Sequence, residues 1–267
     1  MALRELLNQK PVLTRAEVTA FLQNERPRKA RTHESLIAYY VRTERLVRIR
    51  RGLYAVVPPG ADPATFHVDP HLVAAQSAPD ATLGYHTALE FHGKAHAPFH
   101  EFYFLSATQR RPFSFRSNRF RPIVYPKALR ERRKVHDATK SVCRDGVQVR
   151  VCTLERTLVD VLDRPDLAGG WEELWHSVTS IEFFDLDVVV SYALLLGNAT
   201  TVAKVGFFLE QHRERLMVED SHLGRLRKHR PRQPHYLDRD DRTGRLLSQW
   251  NLIVPEVVLD SSWSAGT

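Results

Sequence analysis

Three histidines, His92, His96 and His100, recur at a spacing of four, the interval that sets two ligands on one helix face above a zinc ion. Gly93 and Pro98 interrupt that stretch, so the helix that would align them is not continuous, and no metal is expected. Asp160, Asp163, Asp185 and Asp187 are the carboxylates from which a Mg²⁺-dependent nuclease could be built beside a basic groove. None is followed by a lysine at a metal-nuclease spacing on a strand. Asp160 and Asp163 read instead as helical residues paired in solvent beside Arg164. There is no P-loop and no Gly-x-Ser-x-Gly elbow, and Gly84 and Gly93 do not make a dinucleotide fingerprint. The expectation is a chain that is not an enzyme and carries no cofactor. Cys143 and Cys152 flank Asp145-Gly146, the turn of an expected hairpin. They read as small apolar residues in a reducing compartment, with a cross-strand disulfide as the alternative.

The chemistry that the sequence does supply is recognition of polyanions. Lys and Arg number 39 against 31 Asp and Glu, a net charge of +8, and the excess is concentrated. The first 60 residues hold 12 basic residues and 5 acids; residues 107–134 hold 10 basic residues and the single acid Glu131, leaving the rest net acidic. Such patches attract phosphate backbones. In the second block Arg110, Arg111, Arg116, Arg119, Arg121, Arg130, Arg132, Arg133 and Lys134 interleave with Phe113, Phe115, Phe120 and Tyr125. Aromatics among arginines can stack on unpaired bases, which raises an RNA alternative. Strand spacing turns these aromatics toward a core instead. The arginines stay open, either to extend a DNA footprint or to meet an acidic protein surface.

The elements that must position the first patch follow from local pattern. Leu3, Leu6 and Leu7 mark a short amphipathic helix ended by Pro11. Thr14-Arg15-Ala16-Glu17 is a capping box, and Val18, Phe21 and Leu22 give the helix behind it one buried face. Pro27 breaks the chain before the basic turn Arg28-Lys29-Ala30-Arg31. A next helix starts at Thr32 or Ser35 and buries Leu36, Ile37, Tyr40 and Val41. Its other face, with Thr32, His33, Ser35, Tyr39 and Arg42, suits base edges in a major groove. In residues 46–56, Val47 and Ile49 alternate with Arg48 and Arg50, Arg51-Gly52 turns the chain, and a partner strand returns. Three helices and a basic hairpin are the order of a winged helix-turn-helix, with Arg28, Lys29, Arg31, Arg48, Arg50 and Arg51 on phosphates.

At Leu46-Val47-Arg48-Ile49-Arg50-Arg51-Gly52-Leu53-Tyr54-Ala55-Val56-Val57-Pro58-Pro59 the chain resembles the AbiEi antitoxins of bacterial type IV toxin–antitoxin pairs. Leu83-Gly84-Tyr85-His86-Thr87-Ala88-Leu89-Glu90-Phe91-His92-Gly93 and Val151-Cys152-Thr153-Leu154-Glu155-Arg156-Thr157-Leu158-Val159-Asp160 are similar to further stretches of that family. Trp250-Asn251-Leu252-Ile253-Val254-Pro255 is similar to its closing strand. The resemblance implies an autorepressor that binds inverted repeats in double-stranded DNA upstream of its own operon. It also implies a nucleotidyltransferase-type toxin as partner.

The expected domains are a winged helix-turn-helix over residues 1–57, a Pro/Gly linker over 58–69 and a larger α/β domain over 70–267. In the last, strands are expected at 101–106, 113–116, 123–125 and 147–152, helices at 153–162, 171–179, 187–196 and 202–215, and a closing strand at 246–254. The fold class is thus α+β with a mixed or antiparallel sheet. No apolar run reaches a membrane-spanning length, and the amphipathic start lacks the apolar core of a leader, so a cytoplasmic protein is expected. The alternative functions are a winged helix that docks a protein, and a metal-dependent nuclease.

Overall fold

The computed structural model describes residues 2–25, 30–238 and 241–259. The fold is α+β, and the chain divides into two compact units. The first comprises Met1–Leu83, His100–Ile123 and Ser141–Val151; the second comprises Gly84–Phe99, Val124–Lys140 and Cys152–Thr267. These units do not follow the expected boundary at 58–69. Residues 1–57 fall in the same unit as most of the large sheet, and the chain passes between units several times.

The first unit opens with α1 (Ala2–Gln9), β1 (Val12–Thr14), α2 (Arg15–Glu25), α3 (Ala30–Arg42), β2 (Leu46–Arg50) and β3 (Leu53–Val56). The three strands form one antiparallel sheet in the order β1-β3-β2. That is the element and sheet order of a winged helix. The capping box forms as the sequence predicts: Thr14 N and Oγ1 donate to Glu17 Oε2 at 2.8 Å each, and Glu17 N donates to Thr14 Oγ1 at 3.2 Å. Leu6, Leu7, Leu13, Val18, Ile37, Leu46, Tyr54 and Val56 form its core, with Phe21, Leu22, Leu36, Tyr40 and Val41 packed on them. Strand β1 has no counterpart in the expected elements. Three residues between a proline and a capping box are too few for alternation to show.

The remainder of this unit holds α4 (Pro70–Ala75) and a six-stranded sheet. Its strands are β4 (Thr82–Leu83), β5 (Glu101–Ser106), β6 (Phe113–Phe115), β7 (Asn118–Val124), β8 (Thr139–Arg144) and β9 (Val147–Cys152), in the order β6-β7-β5-β4-β9-β8. The sheet is mixed: β4 runs parallel to β9 and antiparallel to β5. Asp145 and Gly146 both take positive φ, 49° and 74°, as a type I′ hairpin turn requires. Cys143 is exposed near that turn and Cys152 is buried at the far end of β9, and both are free thiols.

The second unit is mainly helical: α5 (Tyr85–Phe91), α6 (Lys127–Glu131), α7 (Leu154–Asp163), α8 (Trp171–Thr179), α9 (Leu186–Leu196), α10 (Ala199–Gln211), α11 (Asp220–Arg227) and α12 (Glu256–Leu259). A small sheet joins them, with β10 (His235–Tyr236), β11 (Arg245–Leu247) and β12 (Leu252–Val254) in the order β10-β12-β11. The single strand expected at 246–254 is therefore two, paired antiparallel around Asn251, whose φ of 49° turns the chain. Inside α10, a Cβ on Gly206 would lie 2.2 Å from the ring of the fully buried Trp250, so glycine admits the indole there. No described helix is long and apolar enough to cross a membrane.

His212 at the end of α10 gives this unit a pH dependence. Its ring lies 4.6 Å from Phe208 and 5.7 Å from Trp175, and burial, then the charge of Arg215, push its pKa down to about 4. A histidine depressed in the fold contributes stability present above its unfolded pKa near 6.5 and lost as pH falls toward the folded value. Between pH 7.5 and 4 the loss from this group is about 3 kcal/mol. Urea denaturation at both pH values should show a smaller acid loss in His212→Gln than in wild type. Equal acid losses would exclude His212 as the source.

Candidate nucleic-acid interface

Helix α3 presents the face on which groove recognition would rest. Ser35, Ala38, Tyr39 and Arg42 are exposed along it, with Thr43 just beyond its end. Tyr39 is 49% exposed although aromatic; its ring meets Tyr40 edge-on at 5.6 Å, and the Arg42 guanidinium lies 5.8 Å above it. The pair thus forms a semi-rigid platform of one aromatic face and one cation. Beside it is an open cleft of about 400 Å³ lined by Arg15, Glu34, Ala38, Arg42, Arg48 and Tyr54, among others. Arg15 pairs with Glu34 through Nη2 and Oε1, with both side chains at least half exposed. Arginines from α2, α3 and the wing therefore border one groove. Arg15 was not among the expected site residues. Its place at the first position of α2 was visible, but its approach to Glu34 is a tertiary contact.

His33 is not on this face. It is 2% exposed, and among the described residues neither ring nitrogen has a hydrogen-bond partner. The helical period explains the burial, because His33 stands one turn before Ile37 and two before Val41 on the apolar stripe. Arg28 and Lys29 lie outside the described residues, and of Arg31 and Thr32 only the helical backbone is described.

The wing arginines divide. Arg48 and Arg51 are exposed. Arg50 is half-buried: its Nη2 donates to the Ser77 carbonyl, and its guanidinium lies 4.7 Å from the Phe113 ring. The cause is a register shift between Arg48 and Arg50, where Arg48 faces Tyr54 and Arg50 faces Leu53. An extra residue in one strand breaks the alternation that would have kept both arginines on one face. Arg50 is thus a tether of the wing rather than a free phosphate contact.

The second basic block is split between the units. Arg110, Arg111, Arg116, Arg119 and Arg121 belong to the first, and Arg130, Arg132, Arg133 and Lys134 to the second. Several are engaged. Arg121 Nη1 lies 3.1 Å and Arg119 Nε 3.5 Å from the Glu101 carboxylate, and Arg116 donates to the Pro63 carbonyl and stacks on Phe66 at 4.5 Å. Arg130 and Arg132 donate to the Tyr125 and Leu195 carbonyls, and Lys134 pairs with Asp137 at 3.3 Å. Phe120 and Tyr125 are buried, while Phe113 and Phe115 are half-buried and Phe113 stacks on Phe120 at 4.8 Å.

The four candidate carboxylates are placed apart in structural roles. Asp160 is 2% exposed: its Oδ2 accepts from Arg156 Nε at 3.2 Å and its Oδ1 from the Tyr192 hydroxyl at 2.8 Å. The expected solvated pairing beside Arg164 is replaced by a buried pair with Arg156. Asp163 accepts from Thr201 and Asn198, Asp185 caps α9 by accepting from Val188 N at 3.1 Å, and Asp187 pairs with Arg225. Among the described residues no group of three or more His, Cys, Asp or Glu could hold a metal ion.

No protein-family model matches the chain, and no curated protein does. Among solved structures it is similar to the Rv2827c protein from Mycobacterium tuberculosis, with a TM-score of 0.59 over 99% of this chain and 93% of that one. Sequence identity is 19%. The likeness is one of fold. The alignment takes in residues of both compact units.

Proposed function

We propose that this chain is a DNA-binding transcriptional repressor. The observation that carries the reading is the α3 face: Ser35, Ala38, Tyr39 and Arg42 lie open on a winged helix, bordered by Arg15 and Arg48. Small, hydroxyl and guanidinium groups on an exposed helix can read base edges in the major groove while flanking arginines hold phosphates. The resemblance of residues 46–59, 83–93, 151–160 and 250–255 to AbiEi antitoxins extends the reading. The DNA would be inverted repeats upstream of the chain's own operon, and the chain would counteract a nucleotidyltransferase-type toxin as a cytoplasmic, non-enzymatic antitoxin.

Fluorescence anisotropy on the upstream DNA and on a scrambled duplex, across a salt series, tests it. Binding to the upstream DNA should be roughly 10³-fold tighter or more, and should weaken steeply with salt. Equal weak binding to both duplexes would reduce the interaction to charge attraction and remove the repressor.

A further inference from the structure

A second cleft of the same unit, about 480 Å³, opens beside the wing from the first. Arg50, Arg110 and Arg150 line it, together with Gly52, Ser141 and Gln148. The two clefts flank one stretch of chain: Arg15 lines the α3 cleft, and Thr14, Ala16 and Glu17 line this one. Glu17 brings a carboxylate to the rim, but it is already held by Lys10 Nζ at 2.7 Å and by Thr14.

The three arginines have no carboxylate partner among the described residues. Arg110 makes one bond, from Nε to Ser106 Oγ at 3.3 Å. Arg150 stands with Gln148 on the open side of β9, opposite the buried Val147, Val149 and Val151. Arg50 spends Nη2 on the Ser77 carbonyl, and its Nε is buried without a partner. Burial, then the charge of Arg110, push the Arg50 pKa down, so the two guanidinium groups that line this cleft repel each other; the nearest acid on the Arg110 side, Asp80, is occupied by Ser106 Oγ and Ala107 N. Clustering like charges costs free energy that an incoming anion would recover. Guanidinium forks, with a hydroxyl and an amide beside them, match the oxygens of a phosphate diester.

We propose that this cleft is a second phosphate-binding site, which grips the DNA backbone beyond the groove bordered by α3 and Arg48. The site rests on the repressor reading and gives part of the second basic block a task. Arg110 and Arg150 each bind one of two neighbouring phosphates, and Arg50, fixed by its tether, forms the wall. A backbone site carries no sequence information. It adds affinity for all DNA and deepens the salt dependence.

The test is anisotropy of the full chain carrying Arg110→Gln and Arg150→Gln, on the upstream and scrambled duplexes. Each lost phosphate contact makes the slope of log affinity against log salt shallower by about 0.9, so two should remove about 2. The affinity lost between 50 and 200 mM salt should then shrink by about tenfold. Both duplexes should be weakened by the same factor, and Arg110→Lys with Arg150→Lys should keep most of the slope. If the double variant melts earlier than wild type, Arg150→Gln alone, on the open side of β9, should still remove about 1 from the slope. Wild-type slope and affinity in the glutamine variant would overturn the cleft and leave the α3 reading standing. Loss on the upstream duplex alone would also overturn it. A wild-type chain that binds neither duplex would overturn the repressor reading and the cleft together.

Discussion

Asp160→Asn should destabilise the protein by about 3–5 kcal/mol, because it leaves a guanidinium buried without its counter-ion. Arg156 is fully buried on α7. Its Nε donates to Asp160, while Nη1 donates to the Val135 carbonyl at 2.9 Å and the Asp137 carbonyl at 2.8 Å. The Tyr192 and Tyr125 rings lie 5.2 and 5.9 Å from the guanidinium. Burial alone would pull the Arg156 pKa down, but the surrounding acidic groups outweigh it and raise it, so the cation persists in the fold. Burial pushes the Asp160 carboxyl up while Arg156 and Tyr192 pull against that rise, and it pushes the Cys152 thiol up to about 12. Asparagine can still accept from Tyr192 but cannot neutralise Arg156. Tyr192→Phe removes one hydrogen bond and should cost about 1 kcal/mol, which sets a scale for the comparison. Urea denaturation of the three proteins measures both differences. A loss near 1 kcal/mol for Asp160→Asn would mean that the carbonyls of Val135 and Asp137 suffice to hold the cation.

That cluster also shows where local pattern stops being informative. Arg156 and Asp160 are four apart on α7, the spacing of an ordinary solvated pair. What buries them is a carbonyl-bearing segment more than fifteen residues earlier and a tyrosine from α9, neither visible in the helix's own periodicity. Arg50 teaches the same lesson on a strand. Alternation across residues 46–50 is correct until the bulge shifts the register, and the sequence carries no mark of that shift. His33 differs, because its burial was legible from its place one turn before Ile37.

Capped and turned elements were the most legible. The Thr14–Glu17 box, the Asp145-Gly146 turn, the helix at 171–179 and the strand at 101–106 all form where local chemistry specifies them. Division of the chain into compact units was not legible. Residues 58–69 have linker composition, yet the first unit continues through them and takes up later segments of the sheet. Composition reports where a chain can bend, and only long-range strand pairing decides which segments fold together.

The largest functional effect is expected from the α3 platform. Tyr39→Ala with Arg42→Ala should weaken binding to the upstream DNA by about 30-fold or more, while binding to scrambled DNA falls only modestly. Each base-edge contact is worth about 1–3 kcal/mol of discrimination. The guanidinium 5.8 Å above the ring couples the two side chains, so the single losses should not sum to the double. Both side chains are exposed, whereas the stripe that packs α3 is Ile37 with Leu36, Tyr40 and Val41. The double variant should therefore melt within a few degrees of wild type, and lost affinity would report on contact rather than folding. The salt slope separates this face from the wing-side cleft. Removing Arg42 and Tyr39 should lower the ratio of upstream to scrambled affinity and change the slope by about 1 or less. Removing Arg110 and Arg150 should change the slope and leave the ratio alone. An α3 variant that loses equally on both duplexes would place Tyr39 and Arg42 on the backbone, and sequence reading would have to come from elsewhere on the winged helix.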